Sequence, residues 1–350
     1  GINWATILFI AGMMLMVEGM ERAGFFRWLC LTIAKAVHYK TIPIFISFML
    51  MSAFLAMFID TITVILFLAA VTVELAHLLH FDPIPMIISE IFCSNLGGSA
   101  TMCGDPPNII IGTSLGYSFK DFILNTGVAT VFVIIVGLIC MYFIYGRKLF
   151  VTDESIAKVM QLDENKAIKD RKLMHESVIV IILVALCFIF HDQLGVQSCT
   201  VAIAAACIML LIGGQEPEEI IADVEWPTIL FFIGLFIVVG GRQIVGDITM
   251  LANGLISITH GNMVVTMMVI LWVSAIVSSF LDNIPFVATL IPMILTMQSE
   301  GMDVAPIWWA LSLGACLGGN GTLIGASANV VLSGISKNNG HPITFGQYFK

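Results

Sequence analysis

Charged residues are scarce in this 350-residue sequence. Asp, Glu, Lys and Arg make up 11% of it and 59% of the residues are hydrophobic, whereas about a quarter of an ordinary soluble domain is charged. This composition excludes a soluble globular enzyme. Basic residues are also fewer than acidic ones, 15 against 24, so the chain lacks the basic face that binding of nucleic acid needs.

Cysteine pairs and catalytic motifs are missing too. The eight cysteines stand singly in apolar runs, without the spacing of a zinc site, and we interpret them as small core residues. No HExxH motif is present, and we expect a protein that is not an enzyme. The chain starts at Gly1 within an apolar run and shows no recognisable signal peptide, and we expect a fragment of a longer protein.

The sequence instead has a series of long apolar runs. A helix of about 20 apolar residues spans a bilayer, so we expect an all-α polytopic membrane protein. The segment 24–40 mixes Arg27 and Lys35 with aromatic residues, which is typical of a helix lying in the headgroup plane. The predicted apolar segments are 2–20, 41–59, 62–79, 86–116, 122–145, 177–194, 196–213, 228–245, 262–281, 284–298 and 304–334.

The most polar segment, 146–176, is predicted to be a linker. Its basic residues place it on the cytoplasmic side by the positive-inside rule. Before it, residues 1–145 form a first repeat made of a span, the interfacial helix, a hairpin, a broken helix and a span. After it, 177–213 form connecting scaffold helices, and 214–350 form a second repeat that we expect to be truncated before its last span.

Two copies of one unit are visible in the sequence. FIDTITV (58–64) matches FLDNIPF (280–286) at an offset of 222 residues, and GGSATMCGDPPN (97–108) matches GGNGTLIGASAN (318–329) at 221. Five crossings lie between equivalent points, and an odd number of crossings inverts the second copy. Inverted repeats with interrupted helices are typical of secondary transporters.

Asp60 and Asp282 lie at equivalent places deep in apolar sequence. A carboxylate at the bilayer centre costs ~3 kcal/mol, so each demands a compensating cation, proton or hydrogen-bond donor. One interpretation is a pair of re-entrant hairpin tips that meet near the midplane and bind a cation or proton. The other is that each Asp caps the helix that follows it. The two interpretations are compatible.

The motifs 97–108 and 318–329 interrupt apolar segments with glycine, proline and polar residues. A continuous helix tolerates this only at high cost, and backbone freed at membrane depth must be buried or line a wet cavity. Each motif is therefore predicted to be a discontinuous helix whose backbone coordinates a small ion. The alternative is close helix packing through small residues. The predicted structural breaks are Gly104, Pro106, Pro107, Pro285 and Gly325.

These residues define a predicted ion or substrate site. Asp105 is its asymmetric element, because its counterpart is Ala326; it either sets the charge coupling or caps a half-helix. A sodium ion is predicted at Asp60, Asn108, Asp282 and Asn329. The full predicted set is Asp60, Thr61, Asn95, Gly97, Gly98, Thr101, Asp105, Asn108, Asp282, Asn283, Gly318, Gly319, Asn320, Thr322 and Asn329.

Weaker candidates lie outside this set. Glu74, His77 and His80 have the spacing of metal ligands on one helix face, but also that of polar residues at a membrane interface. Glu18 and Glu90 lie near or within spans and are candidate proton relays. The acidic run from Glu216 to Glu225 is predicted to be a solvated loop, and the methionines are predicted to serve packing.

Three motifs resemble those of the ArsB/NhaD group of the ion transporter superfamily, and most of all its P protein-like and citrate-transporter-like permeases. They are SNLGGSATMCGDPPNIII (94–111), VSAIVSSFLDNIPFVATLIPM (273–293) and GACLGGNGTLIGASANVV (314–331). The resemblance implies a homodimer in which a transport unit moves as an elevator against fixed scaffold helices. It also implies that the hairpin tips and both broken helices form the ion and substrate sites. The related dicarboxylate/sodium symporters carry Asn at the tips, where this sequence has Asp60 and Asp282.

The expected function is secondary active ion transport, with exchange of sodium for protons as the first choice. Two buried acids favour a cation or proton, because they repel an anion unless they are protonated or ion-paired. The alternative is an anion permease for arsenite or antimonite, chloride, or a di- or tricarboxylate such as citrate. A passive channel is disfavoured. We expect a multi-pass protein of the cell (inner) membrane, with sodium or protons as coupling ions and no other cofactor.

Overall fold

The computed structural model describes residues 2–146, 149, 156–157, 159–160, 163–212, 216–224, 226–245, 257–259, 261–338 and 342–349. Over these ranges the chain forms helices and turns, with no strand. The prediction of an all-α membrane protein is confirmed. The helices of the first part are α1 (Trp4–Ala23), α2 (Phe25–Ala36), α3 (Thr41–Ala56), α4 (Thr61–Leu79), α5 (Ile84–Gly98), α6 (Pro106–Leu115) and α7 (Phe119–Tyr145).

The second part begins after a 3₁₀ turn at Glu164–Ala167. Its helices are α8 (Arg171–Leu194), α9 (Ser198–Ile212), α10 (Pro217–Asp223), α11 (Trp226–Val245), α12 (Met263–Ser278), α13 (Asn283–Ser299), α14 (Ala305–Gly318), α15 (Ser327–Asn338) and α16 (Phe345–Phe349).

Four of the described helices are long and apolar enough to cross a bilayer, namely α1, α4, α7 and α8 over Arg171–Phe190. A further candidate pairs α10 with Trp226–Gly241, bent by 60°. The apolar helices α3, α5, α9, α12, α13 and α14 have 10–17 residues. At 1.5 Å per residue the longest of them reaches about 26 Å, short of the roughly 30 Å hydrocarbon layer. Phe132 and Phe143 of α7 are 67% exposed, as expected of side chains that contact lipid.

Helix α2 follows α1 across a single residue. Gly24 adopts a left-handed conformation with φ of 84°, and a Cβ atom there would collide with the Ala167 carbonyl oxygen. Lys169 N donates to Ala23 O at 3.1 Å from the same segment. With 12 residues α2 is too short to cross a bilayer. The turn before α2 is therefore fixed against the polar segment that the sequence predicts to be a linker.

Two differences between the predicted and the observed helices have a clear physical cause. Residues 217–223 of the acidic run form α10 rather than a loop. Pro217 suits the first turn of a helix, and the acidic side chains of that turn interact favourably with the positive end of the helix dipole. Arg22 of α1 then binds Glu219 Oε2 at 3.0 Å and also Asp223. Helix α8 begins at Arg171, six residues before the predicted span, because Asp170 Oδ1 accepts from the N–H groups of Lys172 and Leu173.

Two helix pairs at equivalent positions pack closely. Helix α3 lies along α5, and α12 lies along α14. A Cβ atom on Gly97 of α5 would collide with the backbone oxygen of Ala53, and one on Gly318 of α14 would approach the oxygen of Ala275 to 2.5 Å. Backbone contact of this kind requires glycine. The pairs bring the ends of α5 and α14 against the turns that precede α4 and α13.

Candidate functional site

Two apolar helices stop and restart within the folded chain. Helix α5 ends at Gly98 and α6 begins at Pro106, while α14 ends at Gly318 and α15 begins at Ser327. Pro106 and Pro107 occupy the first turn of α6, where a residue without an N–H group costs least. Pro285 lies in the first turn of α13, just after another turn at 279–282. We call residues 99–105 and 319–326 the first and second break.

An asparagine in the helix after each break holds that break together. Asn108 Nδ2 donates to the carbonyl oxygens of Thr101 at 2.9 Å and of Gly98 at 3.3 Å. Asn329 Nδ2 donates to those of Thr322 at 3.1 Å and of Gly319 at 2.8 Å. All three positions are equivalent at the offset of 221 residues. Carbonyl groups freed at a helix end need such donors when they are buried.

The oxygen of each asparagine is contacted from the other copy. Asn108 Oδ1 accepts from Ser312 Oγ at 2.6 Å and from Cys316 Sγ at 3.5 Å, both on α14. Asn329 Oδ1 accepts from Asn95 Nδ2 of α5 at 3.1 Å. Asn95 and Cys316 are equivalent positions at the offset of 221. Helices α5 and α14 therefore each supply a donor to the break of the opposite copy.

Further polar contacts join the breaks to each other and to the preceding turns. The Thr101 hydroxyl donates to the Met57 carbonyl oxygen, and the Thr322 hydroxyl donates to that of Ser279. Asn320 Oδ1 accepts from Asn95 Nδ2 at 2.9 Å. The predicted residues Asn95, Thr101, Asn108, Asn320, Thr322 and Asn329 are thus joined with both breaks by hydrogen bonds.

Asp60 and Asp282 both cap the helices that follow them. Asp60 Oδ1 accepts from Thr63 N at 3.0 Å and its Oδ2 from Thr63 Oγ1 at 2.6 Å. Asp282 Oδ1 accepts from Ile284 N at 3.0 Å, and its Oδ2 from Ser327 Oγ at 2.5 Å. The capping interpretation is confirmed for both acids. They differ in one respect, since Asp282 is also tied to the helix across the second break.

Asp105 occupies the N-cap position of α6 but makes no capping hydrogen bond. Its Oδ2 accepts from Asn283 Nδ2 of α13 at 3.2 Å instead. The carboxyl group is buried and lies close enough to Asp60 and Asp282 for like charges to interact. Of the two roles predicted for Asp105, capping is wrong, because the side chain turns away from its own helix toward the second copy.

Basic side chains are absent from this cluster as far as the chain is described. The ion pairs of the described residues involve Arg22, Arg27, Lys35 and Lys172, and none of them includes Asp60, Asp105 or Asp282. Asp105 is buried while Asp60 and Asp282 are partly exposed. Three carboxyl groups within range of one another's charge favour the binding of a proton or a cation among them, because it relieves their mutual repulsion. The arrangement can hold protons. Among the described residues the carboxyl groups do not by themselves form a group that could hold a metal ion, so a small cation there would also need the neighbouring amide oxygens.

A family model described as "Citrate transporter" matches residues 1–314 of the chain. The chain belongs to the citrate transporter family. An uncharacterized transporter of Mycobacterium tuberculosis is 38% identical over 352 residues, which cover 99% of this chain and 82% of the relative. The 46 kDa membrane protein of Mycobacterium leprae is 36% identical over 351 residues, with the same two shares.

The P protein of Sus scrofa is 30% identical over 434 residues, which cover 100% of this chain and 51% of the P protein. The chain thus spans about half the length of the P protein. These matches confirm the family that the motifs resemble and assign the chain to the membrane transporters. Transporters of this family are membrane proteins, in agreement with the several apolar helices.

Two serines of this transporter's site, Ser312 and Ser327, were not among the residues predicted from its motifs. Ser312 reaches Asn108, but its counterpart in the first copy is Ile91, so no repeated pattern marks it. Ser327 binds Asp282, and the only signal was its place within the second motif, where the first copy has Pro106. Each contact occurs in one copy alone.

The weaker candidates lie elsewhere in the transporter. Glu18 forms an ion pair with Arg22 at 3.0 Å. Glu74 forms one with Arg27 at 2.7 Å, and among the residues that the structure describes no group of three or more His, Cys, Asp and Glu could hold a metal ion. Neither Glu18 nor Glu74 is part of the cluster around the breaks. Glu90 lies buried in α5.

Proposed function

We propose that the protein is a secondary active transporter that exchanges sodium ions for protons. The observation that supports this most is the grouping of Asp60, Asp105 and Asp282 at the breaks without a basic partner among the described residues. Carboxylates at membrane depth need a compensating charge. A sodium ion and protons compete for the same carboxylate oxygens, so that either one or the other supplies the compensating charge.

Asp60 and Asp282 are the proposed binding groups for the coupling ion. Asn283 donates with its nitrogen to Asp105, so its oxygen is left as a ligand. Asn329 Oδ1 accepts one hydrogen bond from the opposite copy, and in a sodium site it would contribute its remaining lone pair. Asn108 Oδ1 accepts from both Ser312 and Cys316, so a sodium ion there would replace one of these two donors. Oxygen ligands of this kind suit a hard cation. The carboxylates supply the charge, and the amides the geometry.

We further propose that the two copies are inverted repeats, each with a re-entrant hairpin and a broken helix. The equivalent bonds made by Asn108 and Asn329 support a repeated unit. In inverted repeats the two halves can exchange conformations and open the site alternately to each side. An elevator movement against scaffold helices, in a homodimer, is the form of alternating access that we propose.

The family description favours a second candidate, a permease for citrate or another anion such as arsenite or chloride. An anion approaching Asp60, Asp105 and Asp282 meets three acids. It can bind there only when these acids carry protons or when a cation accompanies it. The two candidates therefore differ in what the site binds. The exchanger binds only a sodium ion or protons, whereas the permease binds an anion as well.

The test uses purified protein in proteoliposomes with a trapped pH dye. Sodium, lithium, potassium, arsenite, chloride and citrate are added in turn. Proton movement after sodium or lithium alone supports cation/proton exchange. Flux that only an anion elicits contradicts it and moves the permease into first place.

The variant Asp282→Asn sharpens this test, because it keeps the shape of the side chain and removes its charge. We expect it to lose sodium-driven proton movement. Asp121→Asn is the matched control, since the Asp121 carboxylate bonds only to Ser118 within the first turn of α7 among the described contacts. Ion-driven transport with unchanged cation affinity in Asp282→Asn would refute the role of that residue.

A further inference from the structure

A buried carboxyl group on α5 lies outside the site described above. Glu90 is 1% exposed. Its Oε1 accepts from Thr72 Oγ1 of α4 at 2.5 Å, and its Oε2 has no hydrogen-bond partner among the described residues. Burying an ionised carboxylate with one oxygen unsatisfied is unfavourable in free energy.

A second unsatisfied oxygen lies one helical turn further along. Ser94 is fully buried and its hydroxyl has no partner among the described residues. A serine in a helix usually donates to the carbonyl four residues earlier, as Ser89 does to Pro85 at 2.8 Å. The Glu90 carbonyl, however, already accepts from Ser52 Oγ at 2.7 Å, besides its helical bond from Ser94 N. The Ser94 hydroxyl is therefore free on the helix face that carries Glu90.

The surroundings of Glu90 contain no basic side chain in the described part of the chain. The ion pairs of that part do not include it. The titratable groups close enough to interact with it are the thiols of Cys30 on α2 and Cys93 on α5. In the described hydrogen bonds, α3 contributes only the Ser52 hydroxyl, which donates to the Glu90 carbonyl, and α4 only the Thr72 hydroxyl, which donates to the Glu90 carboxyl group.

We infer that Glu90 binds a proton, and that the protein has a proton-binding site separate from Asp60, Asp105 and Asp282. As a neutral acid, Glu90 keeps the bond from Thr72 and can turn its O–H toward Ser94 Oγ, so that both unsatisfied oxygens gain a partner. Its ligand is a proton and not a metal ion, because only one charged group lies there. The inference does not depend on which ion the transporter carries.

The position of Glu90 gives this site a connection to the breaks. Asn95, which bonds to Asn320 and Asn329, lies five residues further along α5, or about 7.5 Å along the helix axis. The counterparts of Glu90 and Ser94 in the second copy are Leu311 and Ala315. The repeated fold therefore does not itself require an acid at this place.

Infrared spectroscopy of the full chain in lipid nanodiscs tests the inference without any transport assay. A neutral carboxylic acid gives its own C=O stretching band at neutral pH, and we expect Glu90→Gln to remove a component of that band. Glu18→Gln is the matched control and should leave the band intact, since Glu18 is ion-paired with Arg22. An unchanged band in Glu90→Gln overturns the inference.

A second variant covers the case in which Glu90→Gln does not fold. Ser94→Ala introduces the residue that the second copy carries at the same place, and we expect it to shift the frequency of the Glu90 component by removing its hydrogen-bond acceptor. An unshifted component refutes the bond to Ser94. A component seen in choline buffer but lost in sodium buffer at the same pH shows a cation at Glu90 and overturns the proton assignment. Failure of sodium-driven transport in liposomes leaves these readouts unaffected.

Discussion

A single type of side chain, the carboxamide, performs two tasks at each break. Its nitrogen donates to carbonyls that the interrupted helix has freed, and its oxygen accepts from the opposite copy, as at Asn108 and Asn329. Aspartate of the same shape lacks the donor, and leucine lacks both functions. Leaving a buried group without its partner costs about 1–3 kcal/mol.

We predict that Asn329→Ala lowers the free energy of unfolding by at least about 2 kcal/mol, because two carbonyls lose their donor and Asn95 loses an acceptor. Chemical denaturation in detergent measures this. Asn125→Ala is the control, since Asn125 is exposed on α7 and bonds only to the Asp121 carbonyl among the described contacts; its effect should stay within about 0.5 kcal/mol. Equal losses in both variants would contradict the role of Asn329.

At the same scale, repetition decided which site residues could be predicted. Asn108 and Asn329 recur at one offset and make equivalent bonds. Asn95 was predicted as a site residue, but its contact with Asn329 was not, because its counterpart is Cys316 and a sequence does not show which helices cross. Contacts between copies depend on three-dimensional packing, and a repeat specifies only what lies within each copy.

Between elements, glycine sets how closely the paired helices approach. Gly97 lies against the backbone of α3, and Gly318 occupies the equivalent place against α12. The packing alternative raised for the glycines of the motifs therefore describes these two positions, while the asparagines of the same motifs serve the breaks. Both interpretations of the motifs apply, each to different residues.

We expect Gly97→Ala to destabilise the protein by about 1–3 kcal/mol, because the added methyl group overlaps the Ala53 carbonyl and the helices must separate. Gly234→Ala in α11 is the matched control. A Cβ atom there meets nothing within 4 Å, so that variant should be neutral or gain up to about 1 kcal/mol of helix propensity. Thermal unfolding of both variants decides; a well-tolerated Gly97→Ala would show that α3 and α5 do not pack this closely.

An ion pair attaches helix α2 to the polar segment before α8. Lys35 Nζ lies 2.5 Å from Glu164 Oε2. The hydrogen bond from Lys35 holds the pKa of Glu164 below its usual value of 4.5, and the bond to Glu164 raises the pKa of Lys35 above 10.5. The stabilisation is therefore fully present between these two values. It is lost as pH falls through the lowered pKa of Glu164 or rises through the raised pKa of Lys35.

We predict that Glu164→Gln lowers the melting temperature slightly at neutral pH and low salt. The difference from the unmodified protein should vanish on acidification below the pKa of Glu164 and shrink in high salt, because the pair is exposed. Melting curves over a pH series measure this, with Glu218→Gln, an exposed acid of α10, as the control. A difference that persists in acid would show that the carboxylate charge is not what matters.

Helix positions followed from hydropathy, and the breaks followed from glycine and proline, because both signals are local. The helix α10 did not, since a charged run with proline is also typical of a loop. What makes it a helix is partly a distant residue, as Arg22 of α1 binds Glu219 and Asp223. Local composition could not show that partner.

For the whole molecule, the sidedness of three lysines tests the inverted arrangement. The topology predicted from the sequence, with five crossings between equivalent points, puts Lys120 on one side of the membrane and Lys166 and Lys337 on the other. Each is exposed and is replaced singly by cysteine for labelling with a membrane-impermeant maleimide. We expect Lys120→Cys to react from one face only, and the other two from the opposite face. Labelling of all three from one side would contradict the inversion.

The two acids without counterparts, Asp105 and Glu90, have a consequence for the energies of the transport cycle. If the halves exchange conformations, a molecule with two identical copies would have outward-open and inward-open states of equal free energy, each half populated at rest. Asp105 corresponds to Ala326 in the repeat, and Glu90 to Leu311, so a proton on either acid has no equivalent in the other copy. If these acids take up protons as proposed, we expect unequal resting populations whose bias depends on the proton concentration on either side of the membrane.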